Sequence, residues 1–411
     1  METKEQTEPT PTKQLPTKVD PTTFPHQPSA PGRGLPLTIE NIEHLLTQGG
    51  IQPRFNVIKK RLEVTRTAGT SISMNEVASF AILHGFGTGW LHAFVEEIGG
   101  RNPYNPVKEW ILSKPWDGTD RLQELYDTIL EADDYPKQLK EALMKRWLLS
   151  ATQAAFAKTD FKARGVLTFQ GPQGVGKTSW IAALMPTGEL RNECILLDHH
   201  LDGSNKDSVI NAVTHWLVEI GELDSSFKKD VARLKGFLTN DCDKLRRPYG
   251  RDVVEYPRRT VFAATVNEER FLVDHTGNSR WWTVAVKGIR HKHDIDMQQV
   301  FAQLAVALGE GGQWWLTTAE DRQLAEYNLR HRSVSVIAER ILEAINPDAI
   351  GRGPYLTALE VLEQVGINHP TNPQCKECGS ILRELIGPSR RIQGRDKWRV
   401  PIRGREGAGE F

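Results

Sequence analysis

Apolar positions along this chain follow two periods, and the places where the period changes mark out its elements. Helical spacing, with apolar residues three and four apart, begins at Ile39, Ile42, Leu45 and Leu46 behind Thr38, a residue suited to capping. A strand-like stretch follows from Arg54 to Thr65, and residues 75–97 return to helical spacing with breaks at Gly85 and Gly87. Asn105-Pro106 opens a helix containing Trp110 and Ile111, and a turn at Trp116-Asp117-Gly118 precedes another helix starting near Thr119. The run from Pro136 to Lys158 places Leu139, Leu143, Trp147, Leu148 and Ala151 on one helical face, the pattern of a core-facing helix. Short β-prone runs then alternate with helices: Val166 to Gln170, Val213 to Ile220 and Arg259 to Val266 read as buried strands. Between the last two, Phe227 to Leu238 reads as a helix capped by Ser225 or Ser226. Residues 311–331 are helical in pattern, with Trp314 and Trp315 expected in the core. Three more helices, over 334–346, 355–365 and 374–386, lead to a hairpin-like segment with Gly394 at its turn.

Together these elements predict an α/β protein. Residues 1–36, rich in Thr, Pro, Gln and Lys, lack the large apolar side chains that offset ordering entropy and are expected to be a disordered tail. A mostly helical N-terminal domain is expected over 37–140, a nucleotide-binding α/β domain over 141–330, and a winged-helix-like basic domain over 331–411. A chain of 411 residues has room for that many domains.

Composition narrows the class. Apolar residues make 39% and charged residues 25%, a soluble globular balance. The net charge is zero, so any surface that attracts nucleic acid has to be local. Four scattered cysteines fit a reducing cytosol rather than a disulfide scaffold. No apolar run approaches the roughly twenty residues of a membrane span, and the N-terminus shows no signal-peptide core. Cys375 and Cys378 form a CxxC without a second ligand pair nearby, so they read as helix residues rather than as a zinc site.

The strongest chemistry lies at 166–185, VLTFQGPQGVGKTSWIAALM. A β-prone run meets an eight-residue loop, Gly171-Pro172-Gln173-Gly174-Val175-Gly176-Lys177-Thr178, and an apolar helix starting with Ser179 follows. This is the phosphate-loop pattern GxxxxGK[ST] in its strand–loop–helix context. Its glycines let backbone N–H groups approach an anion. Lys177 reaches the terminal phosphates of ATP, and Thr178 offers its hydroxyl to Mg²⁺. Downstream, the apolar run ending in Glu219, Glu222 and Asp224 has the form of a Walker B element. Glu219 is read as orienting the hydrated Mg²⁺ and Glu222 as the base for the attacking water, with the reverse assignment open and Asp224 a third candidate.

Other candidates surround this core. Asn267, at the end of the third strand, suits orientation of the lytic water or sensing of the γ-phosphate. Arg280, between a glycine turn and the next strand, suits an arginine finger directed at a neighbouring subunit's nucleotide. DKLRRPYGR at 243–251 sets Lys244, Arg246, Arg247 and Arg251 beside Tyr249, a mixture suited to phosphate attraction and base stacking on single strands. From Arg383 onward basic residues dominate, with Arg391 and Lys397 among the candidates for a DNA-binding face.

The residues quoted, together with NPVKEWILSKPWDGTDRL at 105–122, LKGFLT at 234–239 and DHTGNSRWW at 274–282, resemble the virulence-associated protein E family. These are phage- and satellite-encoded ATPases related to superfamily 3 helicases and to P4-type primase-helicases. The resemblance covers roughly Pro106 to Val286. It implies a P-loop NTPase core of AAA+/superfamily 3 type assembled as a ring, expected to be a hexamer, in the cytoplasm of a bacterial host. It also implies that Lys235 belongs to a motif near nucleotide or DNA, that Arg246, Arg247 and Arg251 sit on a DNA-contacting hairpin, that Asn267 is sensor 1, and that Arg280 is the finger. Many relatives carry a primase module upstream, but residues 37–150 show no primase carboxylate set. The activity expected is ATP-dependent DNA unwinding or translocation in replication of a phage or mobile element. Its partners would be single-stranded or forked DNA and replication proteins of host or phage. A helicase loader that does not unwind, a small-molecule kinase using the phosphate loop, and a DNA-binding protein with a decayed ATPase are the rival readings.

Overall fold

The computed structural model describes residues 18–67, 69–159, 161–221, 231–246, 253–272, 278–331 and 336–403, with the side chains of 231–233, 235 and 246 outside that description. The chain divides into two units, Met1–Ser113 and Lys114–Phe411.

In the first unit, the helices Ile39–Gln48, Met74–Leu83 and Leu91–Gly100 accompany a three-stranded sheet. Thr38 accepts a hydrogen bond from the Asn41 N–H at 3.2 Å and so caps the first helix. The stretch expected as one strand over 54–65 is a hairpin of β1 (Ile51–Asn56) and β2 (Arg61–Arg66). Asn56 makes the turn: its Oδ1 accepts from the Ile58 and Lys59 N–H groups, both at 3.0 Å, and Lys60 follows with φ of 54°. A third strand, β3 (Pro103–Tyr104), lies parallel to β1. Helices make most of the regular structure among the described residues of this unit, with the small sheet beside them. The expected tail also needs correction from Lys18 onward, because Val19 and Phe24 are buried in this unit's core. Two well-placed apolar side chains suffice to anchor a segment whose average composition is polar; residues 1–17 lie outside the described residues.

The second unit is organised by a sheet built from β4 (Ile129–Glu131), β5 (Val166–Gln170), β6 (Ile195–Leu196), β7 (Leu217–Ile220), β10 (Val261–Val266) and β11 (Trp281–Ile289). Their order across the sheet is β4-β11-β5-β10-β7-β6. All neighbours are parallel except β4, which runs antiparallel to β11 at the edge. β5, β7 and β10 are buried almost throughout, as expected of parallel strands covered on both faces. The long helix Lys137–Phe156 packs on this sheet and is covered in turn by the helix Met297–Gly309. Two buried indoles tie the helix to its surroundings: Trp147 Nε1 donates to the Phe262 carbonyl at 2.7 Å, and Trp216 Nε1 donates to the Ala151 carbonyl at 2.8 Å.

The segment KPWDGTDRL at 114–122 is held by glutamines from the helix Met297–Gly309. Gln298 Nε2 donates to the Lys114 carbonyl at 2.8 Å, Gln299 Oε1 accepts from the Asp117 N–H at 2.8 Å, and Gln303 Nε2 donates to Asp120 Oδ1 at 2.7 Å. Buried amides with both ends satisfied fix an irregular backbone that no regular ladder supports.

Two further expectations change. Val213 ends a helix, Lys206–Val213, capped by Asn205, and the strand starts only at Leu217. Residues 311–316 are not helical: a capping box between Thr317 and Glu320 starts the helix Thr318–Arg330, leaving Trp315 on the surface at 44% exposure.

β8 (Cys242–Arg246) and β9 (Val253–Pro257) form an antiparallel hairpin whose second strand runs on into β10. Its base is anchored by Arg258, which is buried beside Asp243, with Nε donating to Oδ1 at 2.7 Å and the guanidinium 4.7 Å from the Phe237 ring centroid. Removing one member of a buried ion pair strands the other charge. Asp243→Ala is thus expected to lower stability by about 3–5 kcal/mol, read as the shift in urea midpoint of this unit; a shift below about 1 kcal/mol would remove the anchor role.

The C-terminal segment combines the helices Val336–Ala344, Ala358–Gln364 and Asn372–Ile386 with a sheet of β12 (Tyr355–Leu356), β13 (Arg390–Ile392) and β14 (Arg395–Arg399) in the order β12-β14-β13. Gln393 and Gly394, at φ of 52° and 75°, make the two-residue turn between β13 and β14. Cys375 and Cys378 both lie on the last helix, and burial pushes the Cys378 thiol up to about 12, which keeps it protonated.

Candidate functional site

The chain order of the five parallel strands sets where a site can form. After β5 the chain crosses to the far strand β6 and works back through β7 to β10, which pairs with β5; it then passes to the other side of β5 as β11. The connections leaving β5 and β10 depart in opposite directions, and ligands of open α/β sheets bind outside the carboxyl ends of strands at such a reversal. The glycine loop follows β5 there, and Asn267 follows β10.

The loop is shaped for close approach to backbone. Gly174 and Gly176 take φ of 80° and 96°, a region that side-chain-bearing residues avoid. Gly171 lies so near β11 that an added Cβ would stand 2.2 Å from the Val286 carbonyl oxygen. Pro172, Gln173 and Gly174 are exposed, and Lys177 begins the helix Lys177–Ala183.

Lys177 is buried to 7% exposure, with Nζ donating to the Gly171 carbonyl at 2.7 Å, the Pro172 carbonyl at 2.8 Å and Asn267 Oδ1 at 2.9 Å. Three acceptors match its three protons. Burial lowers its pKa, while the Glu219 carboxylate acts in the opposite sense. Glu219, fully buried on β7, accepts from the Thr265 hydroxyl at 2.6 Å and the Thr178 hydroxyl at 3.2 Å on Oε1, and from the Asp198 N–H at 2.6 Å on Oε2. A carboxylate with this many donors is oriented rather than free to rotate. Thr178 and Glu219 thus present hard oxygen atoms side by side, the donor chemistry magnesium takes.

Lys177, Thr178, Glu219 and Asn267 are therefore brought together from three separate stretches of sequence. Glu222 and Asp224 lie outside the described residues, as do Arg247, Tyr249 and Arg251 and the side chains of Lys235 and Arg246. Lys244 sits on the β8–β9 hairpin, paired with Glu255 at 2.6 Å on the opposite strand. Arg280 ends a short turn of 3₁₀ helix immediately before β11. Trp281 pairs with Val166, the first residue of β5, so Arg280 lies at the end of the sheet opposite the glycine loop. There it lines a cavity of about 760 Å³ together with Lys162, Arg164, Trp282, Trp314 and Trp315, and its Nε is buried without a hydrogen-bond partner among the described residues. In the C-terminal hairpin, Lys397 pairs across from Arg390 while Arg391 pairs across from Asp396. The pleat thus puts Lys397 with Arg390, Arg395 and Arg399 on one face, and Arg391 on the other.

Two contributors escape sequence reasoning. Thr265 carries a weak signal, a hydroxyl in an otherwise apolar strand. The Asp198 N–H carries none, because it depends on how the chain leaves the edge strand β6.

A model of the virulence-associated protein E-like domain matches residues 111–333. No curated protein matches the chain. Among solved structures, the apo structure of the NrS-1 C terminal region is similar at 14% identity and a TM-score of 0.37, covering 88% of this chain and 98% of that one. An A form apo structure of the same region is similar at 15% identity and a TM-score of 0.38, covering 85% and 86%. Because that family model spans more than half of the 411 residues, the chain belongs to the virulence-associated protein E-like family.

Proposed function

We propose that this protein is an ATPase with a P-loop core of AAA+/superfamily 3 type. It acts on DNA as a ring, a hexamer on this reading, in replication of a phage or mobile element within a bacterial cytoplasm. The observation that carries the reading is the meeting of Lys177, Thr178, Glu219 and Asn267 at the strand-order reversal, beside a loop whose glycines leave its backbone open. In this reading residues 171–179 cradle the phosphates of ATP. Lys177 exchanges a loop carbonyl for a phosphate oxygen, which restores the charge that burial opposes. Thr178 and Glu219 would hold Mg²⁺, Glu219 through water, and the ion would neutralise charge on the phosphates. Asn267 links the nucleotide to β10 and, through the continuous chain, to the β8–β9 hairpin. Lys235, the hairpin's basic residues and the basic face of the winged-helix-like C-terminal segment would contact DNA, with Glu222 as the base.

Glu219→Gln keeps the shape and removes the charge. Phosphate release is expected to fall about 10²-fold, with a higher Mg²⁺ requirement, while the Thr178 and Thr265 hydroxyls still have an acceptor. A magnesium titration of initial rates checks this, and equal rates for the two proteins would remove Glu219 from the site. A tailed duplex tests the wider reading: single-stranded DNA is expected to stimulate hydrolysis and ATP to drive strand displacement. Stimulation without displacement would make the protein a loader, and a monomer indifferent to DNA would return it to the kinase class.

A further inference from the structure

Beyond β11 the chain turns alongside the glycine loop as Arg290-His291-Lys292-His293-Asp294. The Arg290 N–H donates to the Thr128 carbonyl at 2.8 Å, which fixes where this segment begins. Thr128 is itself held, since its hydroxyl accepts from Trp180 Nε1 at 2.7 Å, on the helix that follows the loop. The His291 ring stands directly against Gly176: a Cβ built there would lie 2.6 Å from Nδ1, which is the nearest atom to it. Glycine at 176 therefore does two things: it permits φ of 96°, and it leaves room for an imidazole against the loop.

That imidazole has an unmet requirement. His291 Nδ1 is buried and has no hydrogen-bond partner among the described residues, and the same holds for both ring nitrogens of His293. Unpartnered buried polar atoms are uncommon and costly enough to need an explanation. Arg290 and Lys292 flank His291 in the sequence and are exposed, so what the segment sets against the loop is the imidazole. Burial pulls the His293 pKa down; Glu124 and Asp294 work against that, and Arg290 works with it. That setting favours the neutral ring of His293.

We infer that His291 is a further ligand of the triphosphate, donating from Nδ1 to a phosphate oxygen held by the glycine loop. This rests on the nucleotide reading above and adds to it a contact from the segment that follows β11, the strand on the other side of β5. It also gives the ligand a second route of communication, through Arg290 and Thr128 to the helix that starts at Lys177.

The test measures binding of a non-hydrolysable ATP analogue with Mg²⁺ to the full chain by calorimetry. His291→Phe fills the ring's space without a donor, and His291→Asn places an amide N–H close to where Nδ1 stood. Loss of one hydrogen bond to a charged partner corresponds to about tenfold weaker binding or more, so His291→Phe is expected to lose about that much. His291→Asn is expected to recover most of it, with the melting temperature of the ligand-free protein unchanged in both. If wild-type protein binds the analogue and His291→Phe binds it equally, this inference fails while the nucleotide reading stands. Equal loss in Phe and Asn variants together with a lowered melting temperature would assign His291 a structural part instead and overturn the inference. If wild-type protein binds no analogue, both readings fall together.

Discussion

Lys177→Ala is expected to lower ATP turnover by about 10²–10³-fold or more, the scale for removing a preorganised donor aimed at developing phosphate charge. Binding of an ATP analogue should weaken by at least about tenfold, since a hydrogen bond between ions is worth more than a neutral one. The fold should survive. The three acceptors that Lys177 leaves behind are the Gly171 and Pro172 carbonyls and Asn267 Oδ1, and both Pro172 and Asn267 are exposed, so water can replace the ammonium. Removing a cation from a buried position also relieves a desolvation cost. The ligand-free melting temperature is therefore expected to move by only a few degrees. Phosphate release, analogue binding and melting, measured on the same preparation, separate these effects. Turnover within threefold of wild type would end the nucleotide reading at its centre. Lys177→Arg is expected to fare little better than Ala, because a planar fork cannot direct its donors at all three acceptors as the compact ammonium does.

The elements that make this prediction possible differ in how readable they were. β5, the glycine loop and the helix after it are local: a β-prone run, a glycine spacing and a Lys-Thr pair lie within twenty residues, and the structure realises them in that order. β10 was legible for the same reason, as an apolar run ended by Asn267. What one stretch cannot disclose is adjacency. Nothing in the sequence of β10 says that it pairs with β5 rather than with β11, yet that pairing brings Asn267 to 2.9 Å from Lys177. Thr265 becomes a site residue only because β7 lies beside β10 and presents Glu219 to it. Val213 ends a helix where its pattern predicts a strand, because a helix ending in apolar residues and a buried strand look alike over eight positions; the Asn205 cap is what separates them. Trp314 and Trp315 are core residues by type, but the loop before the Thr317 capping box leaves Trp315 exposed and Trp314 half-buried. The β8–β9 hairpin was half visible: the basic turn suggested a tip, but the buried Arg258–Asp243 pair at its base joins residues fifteen positions apart and follows no period.

Arg280→Ala is expected to cost about 10³-fold in turnover while leaving nucleotide binding to a single subunit nearly intact, and the reason lies in the sheet. Arg280 precedes the first residue of β11, which pairs with the first residue of β5, whereas the glycine loop follows the last residue of β5. At about 3.3 Å per residue, β5 alone separates the two by roughly 13 Å along the strand direction. An extended arginine side chain spans about half of that. Arg280 therefore has no route to the phosphates of its own protomer, and any catalytic effect must reach a neighbouring copy. Its setting suits that use: Arg280 lines a cavity that Lys162 and Arg164 also line, and its Nε has no partner among the described residues. Mixing gives the decisive reading. A subunit carrying Lys177→Ala keeps an intact Arg280, and one carrying Arg280→Ala keeps an intact glycine loop. Neither is expected to turn over ATP alone, but mixed oligomers contain interfaces in which an intact loop faces an intact arginine, and these are expected to regain activity in proportion to their frequency. The recovery should peak near an equimolar mixture. If the two variants co-assemble, as judged by mass in solution, and no activity returns at any ratio, then Arg280 does not act across the subunit boundary. Its unpaired nitrogen and the cavity around it would then belong to some other ligand.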